Sequence, residues 1–411
     1  MKKSYDVVIV GAGIMGLNTA FQLKRRSPSL KIALLEKAAH LGAGSSGMSS
    51  AILRSYYSLK PMCAFAKEGI NLYRHWKDYV RIEEPRARFV PFTGSVWSWG
   101  QHKTREAVEE DLQRLKSVGI EAHLTDRQGL LSEWPALSAC GEVFDAMGTV
   151  EHTCKDSDLF VVEKGTGYFD PTSALDDLRD ACVREGVEIH MNTTPNDVHS
   201  AGGKVQGLAV QGVDVSSPVV INCAGPWCNK VNQMVGIELP FTLVPTRIPV
   251  LYRTMPELIS VDECHLPHMC DMPGGVYFRP HLSTGQLLIS TALEEDEKEE
   301  VDPDQFNSAL DPHYRTKLLN AMHHRLPKLG QTTTNQVTGM SGMYTMCKED
   351  VHPIIGQTKL KGYYVANGFS GHGFKCAPSV GSILAQKITG IKLADDTTID
   401  MEFFSPYRDP H

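Results

Sequence analysis

Three features predict an α/β chain, α+β overall. A β-branched run feeds through closely spaced glycines into a helix. Glycine-rich turns ahead of helices recur in three separated stretches, and strand-like segments fill the regions between them. The first element, residues 5–10, reads Tyr-Asp-Val-Val-Ile-Val, the pattern of a strand buried on both faces of a parallel sheet. It runs into Gly11-Ala12-Gly13-Ile14-Met15-Gly16; residues 17–23 then read as a helix, and residues 31–35 as a second strand ending at Glu36 and Lys37.

This order is that of a Rossmann-like dinucleotide-binding unit. Gly11 makes the tight turn, Gly13 lets backbone approach a pyrophosphate, and Gly16 lets helix and strand pack closely. The helix start at Ile14 and Met15 supplies amide donors and a positive dipole end. Glu36 is placed to accept ribose hydroxyls and to repel a 2′-phosphate, which disfavours NADP. A ligand-free glycine turn is the alternative, and strand, helix and acid in register argue against it.

The next segment, residues 42–50, is a second run of small residues with little to offer a core. Ser45, Ser46 and Ser49 read as hydroxyl and backbone contacts to a dinucleotide longer than the first motif alone would hold.

The 411 residues suit two closely joined domains. With 42% hydrophobic and 22% charged residues and a net charge of −7, the composition is that of an ordinary enzyme without the positive field a nucleic-acid partner needs. Lys2 and Lys3 precede an apolar stretch too short and glycine-broken for a signal peptide, and no transmembrane run is seen. Scattered cysteines then read as reduced and buried, so a cytoplasmic location is expected.

Beyond the first motif, Ile52-Leu53-Arg54-Ser55-Tyr56-Tyr57, Gly167-Tyr168-Phe169-Asp170-Pro171, Asn196-Asp197-Val198 and Val219 to Trp227 follow in order. Gly342-Met343-Tyr344-Thr345 and Asn367 to Lys375 complete the series. Together these resemble the flavoprotein amine oxidoreductases typified by D-amino-acid, glycine and sarcosine oxidases, most nearly the sarcosine oxidase beta subunit and dimethylglycine dehydrogenase branch. The resemblance implies FAD, held by Val198 at the adenine, by Ala224, Gly225 and Trp227 beside the pyrophosphate, and by Gly342, Gly371, His372, Gly373, Phe374 and Lys375. A glycine-rich loop running into the helix predicted over 377–389 is suited to stabilise negative charge on a reduced flavin.

The recurring motifs predict a discontinuous FAD-binding domain over 1–85, 155–235 and 335–390. Residues 86–154 and 236–334 then form a substrate domain on a mixed or antiparallel sheet, leaving 391–411 as a tail. The acidic run 294–300 reads as a solvated loop.

Oxidising an amino acid on a flavin requires a free amine lone pair, a C–H bond aimed at N5 for hydride transfer, and a fixed carboxylate; the resulting imine hydrolyses. Arg54, a guanidinium fork, and Lys375, a point charge, are the expected carboxylate anchor, as the resemblance also implies. A surface ion pair for Arg54 and a solvated lysine at a helix start for Lys375 are the plainer readings. Tyr344 is a candidate pocket residue and hydrogen-bond donor. His372 is not read as a general base.

The chain departs from the family in two places. Monomeric sarcosine oxidases tether flavin through a cysteine where Gly342 stands, so noncovalent FAD is expected and Cys347 and Cys376 read as buried thiols. Their oxygen-activating lysine has no counterpart in 286–291, which leaves O2 or another carrier as the electron acceptor. Cys264, His265, His268 and Cys270 crowd together without standard metal-site spacing, and no metal is expected; His323 and His324 read as solvent-facing. The expected partner is a small carboxylate-bearing amine such as sarcosine, dimethylglycine or glycine, and an oligomer is possible. Rival readings are a 2-hydroxy-acid oxidoreductase on the same fold, a non-catalytic flavin or electron-transfer subunit, and an NAD-dependent dehydrogenase.

Overall fold

The computed structural model describes residues 1–255, 265–329, 333 and 336–411. The β-branched run forms the strand Val7–Val10 at the centre of a six-stranded sheet. Ile32–Leu35 lies on one side and Val220–Asn222 on the other, both parallel to it, with Glu188–His190 and Tyr363–Asn367 continuing the parallel set and Ile354–Gln357 closing one edge antiparallel. The alternation of side chains explains the continuous run. Val7 and Ile9 face the helical side, while Val8 and Val10 pack under a three-stranded antiparallel sheet, Pro195–Ala201, Lys204–Val210 and Val213–Ser216. No position of the strand meets water, and each such side chain contributes about 1.5–3 kcal/mol of burial.

On the helical side Ile14–Arg26 packs against Gly373–Thr389 and Pro171–Arg184. The last of these starts where Asp170 Oδ1 accepts the Ser173 N–H at 2.7 Å, an N-cap with proline directly behind it. Pro378 lies inside Gly373–Thr389, where it cannot donate to the Phe374 carbonyl; the buried Tyr73 hydroxyl donates to that oxygen instead, at 2.7 Å.

The second region is an eight-stranded mixed sheet. Its order is Val337–Cys347, Leu243–Thr254, Gln286–Thr291, Val276–His281, His268–Asp271, Ser95–Ser98, Phe160–Glu163 and Ala122–Thr125. Its one parallel pair joins His268–Asp271 to Ser95–Ser98. Helix Pro312–Arg325 and Leu130, Trp134 and Leu137 cover one face, and the other faces the nucleotide-binding half.

Three expectations are corrected. Phe160–Glu163 and Val337–Cys347, expected in the nucleotide half, pair in this second sheet, because their alternate residues complete its core and its cavity face. The 391–411 tail is docked: Phe404 is fully buried and Arg408 pairs with buried Asp350 at 2.8 Å. The acidic run is not simply solvated. It forms the short helical turn Glu294–Glu297, with Asp296 buried against Lys317 at 2.7 Å. No described helix is long and apolar enough to cross a membrane.

Candidate active site

A cavity of about 720 Å³ lies between the two sheets and runs from Glu36 to Lys375. At its Glu36 end, backbone geometry dominates. Gly11 has φ +103°, and a Cβ there would meet the Cys223 carbonyl at 2.4 Å; a Cβ on Gly16 would lie 1.9 Å from the Gly11 oxygen. The turn therefore exists only with glycine, and Gly16 acts in packing rather than by lining the cavity. Gly13 caps Ile14–Arg26 without a side chain, and the Ser46 hydroxyl accepts the Ile14 N–H at 3.0 Å.

Glu36 is oriented by two backbone donors, Ala12 N–H at 3.1 Å and Ala38 N–H at 2.9 Å. Beside it Lys37 sits 4.2 Å over the Trp227 ring and pairs with Asp304 at 2.7 Å; Trp227 Nε1 and Lys230 converge on the same carboxylate. These three donors hold Asp304 well below the usual carboxylate range. The clasp joins the nucleotide half to the 302–304 segment of the other half.

Two buried hydroxyls on the cavity wall, Ser45 Oγ and Thr345 Oγ1, have no hydrogen-bond partner among the described residues. Unpaired buried donors carry a desolvation cost, so a polar ligand is expected to meet them. A helix start whose N-cap glycine has no side chain, a ribose-directed acid and orphaned hydroxyls along one elongated cavity fit FAD.

At the other end, the short strand Ile52–Leu53 pairs with Gly167–Tyr168, and the chain beyond it is pinned where buried Glu163 accepts the Ser55 N–H at 2.7 Å and the Tyr56 N–H at 3.2 Å. This pinning aims Arg54 into the cavity. Its guanidinium lies 4.6 Å from the Tyr57 ring centre and 4.7 Å from that of Trp97, and it donates to the Tyr56 carbonyl at 2.7 Å. Lys375 reaches the same Tyr57 ring, at 5.8 Å, from the first turn of Gly373–Thr389. Burial, with Arg54 adding to it, pulls the Lys375 ammonium down to about 7. Two cations, Lys375 buried and Arg54 partly so, thus share one wall, and buried Glu163, whose charge they feel, is committed to backbone donors. Neither of the plainer readings, a surface pair or a solvated lysine, describes these positions.

His372 is half-buried, with Nδ1 buried and unpartnered among the described residues and its ring edge-on to Tyr57 at 4.9 Å; desolvation and the Lys375 charge hold it well below the usual imidazole range, hence neutral. His268 and Cys270 also face the cavity, whereas Met269 between them enters the core. His268 Nδ1 lies 3.0 Å from the Ser95 hydroxyl, and Cys264 falls outside the described residues.

Two site expectations change. Val198 does not line the cavity: it is buried between the six- and three-stranded sheets and its N–H is taken by Asp197 Oδ1 at 2.9 Å, while Thr193 and Thr194 ahead of its strand and Pro195 at the strand's start line the wall instead. Tyr344 lines the cavity together with Glu297, which belongs to the acidic run expected to be solvated. Burial pushes Glu297 up to about 7, and burial together with the Glu297 charge keeps Tyr344 protonated.

Comparison with known proteins agrees with this geometry. The family model described as FAD dependent oxidoreductase (DAO) matches residues 6–387. The mouse "FAD-dependent oxidoreductase domain-containing protein 1" is 26% identical over 93% of this chain and 80% of its own length. Monomeric sarcosine oxidase of Arthrobacter sp. (strain TE1826) is 22% identical over 99% of this chain and 97% of its own. Among solved structures, L-proline dehydrogenase from P. horikoshii superposes with a TM-score of 0.80 at 18% identity, covering 99% of this chain and 98% of that one. Glycine oxidase from Geobacillus kaustophilus gives 0.77 at 20% identity, with both chains fully covered. A single family model that spans both sheets and the whole cavity establishes that this chain belongs to the FAD dependent oxidoreductase (DAO) family and is an FAD-dependent enzyme.

Proposed function

We propose that the enzyme oxidises the C–N bond of a small amino acid or N-methyl amino acid, of the sarcosine, dimethylglycine or glycine kind, to an imine that is released and hydrolysed. The observation that carries this reading is the pair of cations, Arg54 and Lys375, over one aromatic ring at the far end of the FAD cavity, with no carboxylate ion-paired to them among the described residues. Buried like charges are costly unless an anion joins them, and a substrate carboxylate is the anion that suits a guanidinium fork beside an ammonium. Relatives named as sarcosine oxidases support an amine next to that carboxylate.

Bound FAD supplies the two-electron acceptor. The chain's own groups do the positioning. Arg54, in contact with the Tyr57 and Trp97 rings, fixes two oxygens of the carboxylate, and Lys375 neutralises it. Glu297, balanced near neutrality by burial, takes the proton of the incoming ammonium onto its carboxylate, which frees the amine lone pair. The cofactor is held noncovalently in this reading: Gly342 offers no side chain, and burial pushes the cavity thiols Cys223 and Cys270 up to about 12, far from thiolate.

The test is anaerobic mixing of the flavin-loaded protein with N-methyl amino acids, plain amino acids and 2-hydroxy acids. Flavin bleaching by an amine substrate is the expected result, and readmitting air tells an oxidase from a dehydrogenase. Bleaching by hydroxy acids alone would move the enzyme to the rival substrate class. A flavin that dithionite reduces but no member of the panel does would contradict the reading.

A further inference from the structure

On the far side of the eight-stranded sheet, four potential metal ligands from three separate segments meet. Cys140 follows the short helix Arg127–Glu133, His152 and Cys154 lie on the loop that returns toward Phe160–Glu163, and His324 ends helix Pro312–Arg325. One ligand atom from each lies within 4.8 Å of all the others. His152 Nε2 is 3.1 Å from His324 Nε2, 3.4 Å from Cys140 Sγ and 3.5 Å from Cys154 Sγ, and Cys154 Sγ is 3.6 Å from His324 Nε2. Tetrahedral zinc with its usual bond lengths separates nitrogen from nitrogen by about 3.3 Å and nitrogen from sulfur by about 3.6 Å. Each of these four separations lies within a few tenths of an ångström of those values.

The surroundings also suit ligands rather than chance neighbours. The His324 ring stacks on Phe144 at 4.0 Å, and the His152 ring stands at 89° to it, so the two imidazoles aim at one point from different directions. Arg325, next in the chain, donates to the Cys140 carbonyl at 2.8 Å and pairs with fully buried Asp271 at 2.6 Å. Asp271 ends the strand that presents His268 and Cys270 to the cavity.

We propose that Cys140, His152, Cys154 and His324 bind a zinc ion in a closed tetrahedral site that staples the 140–154 loop to helix Pro312–Arg325. This replaces the expectation of no metal, and of a solvent-facing His324. Binding exchanges two thiol protons for one divalent cation, so two thiolates and two neutral imidazoles give a site of zero net charge. Four protein ligands leave no open position, which makes the role structural: through Arg325 and Asp271 it steadies the back of the cavity wall.

The experiment uses the full flavin-loaded chain, purified without chelator and with its thiols reduced. Elemental mass spectrometry is expected to find one zinc per chain in the wild type and less than about a tenth of that in Cys154→Ser and in His152→Ala. Flavin content reports whether each variant has folded. Cobalt added to chelator-stripped wild type is expected to bind one equivalent, with d–d bands at wavelengths longer than the flavin's. This arm stands even if a variant fails to fold. A wild type that neither carries nor takes up stoichiometric zinc or cobalt, or variants that retain full zinc, would overturn the proposal. So would a disulfide between Cys140 and Cys154 in the unreduced protein that persists in the presence of zinc.

Discussion

At the Glu36 end of the cavity the wall is backbone and small side chains, closed by half-exposed ion pairs on Asp304; at the Lys375 end it is aromatic, buried and doubly charged. The first end holds by shape and dipoles and tolerates solvent. The second stores unfavourable electrostatics that a ligand relieves. A cofactor that stays needs many modest contacts, whereas a substrate that must be selected and released is served by a few strong ones in low dielectric.

Substitutions at the two ends should therefore fail differently. The largest effect is expected for Gly16→Val, whose Cβ overlaps the Gly11 carbonyl. It should cost more than about 3 kcal/mol of stability and leave the purified chain without FAD, read by flavin absorbance and thermal melting.

Next, Lys375→Met should lower kcat/KM for carboxylate substrates by about 100-fold while FAD stays bound. The pH dependence sharpens this. Lys375 is charged below about 7 and neutral above it, so a carboxylate ligand lacking an amine should bind most tightly below that pH and weaken as pH rises through it. That bend should vanish in Lys375→Met. If the variant keeps it, the titrating group is another one.

Glu297→Gln should be milder, about tenfold on kcat/KM near neutral pH. It should remove the rise in rate through pH 7 that comes from deprotonating Glu297, while leaving the amine-free ligand's binding bend in place. Smallest of all, Asp304→Ala removes partly exposed ion pairs and should speed FAD dissociation only two- to fivefold or about that, with kcat unchanged.

The difference between the two ends also decided what could be read from sequence. Gly11, Gly13, Gly16 and Glu36 lie within one β-α-β unit, so local spacing carries their geometry, and Arg54 and Lys375 sit in motifs that resemble a known family. Glu297 was hidden because an acidic run reads as solvated unless the partner, Tyr344 on a distant strand, is known to lie above it. Val198 was misplaced by a few residues because the chain enters its strand at Pro195, which leaves the turn ahead of it at the cavity. The cysteine and histidine cluster was illegible for a similar reason. Proximity in sequence pointed to residues 264–270, whereas the groups that converge come from 140, 152, 154 and 324.

The central claim is that a substrate carboxylate completes the charged end of the cavity. It is tested most directly by comparing an amine substrate with its neutral carboxamide, in wild type and in Arg54→Ala, by anaerobic flavin reduction. The account predicts that wild type prefers the carboxylate by about 100-fold and that Arg54→Ala loses most of that preference by slowing on the carboxylate alone. An undiminished preference in Arg54→Ala, or equal reduction by both compounds in wild type, would contradict it.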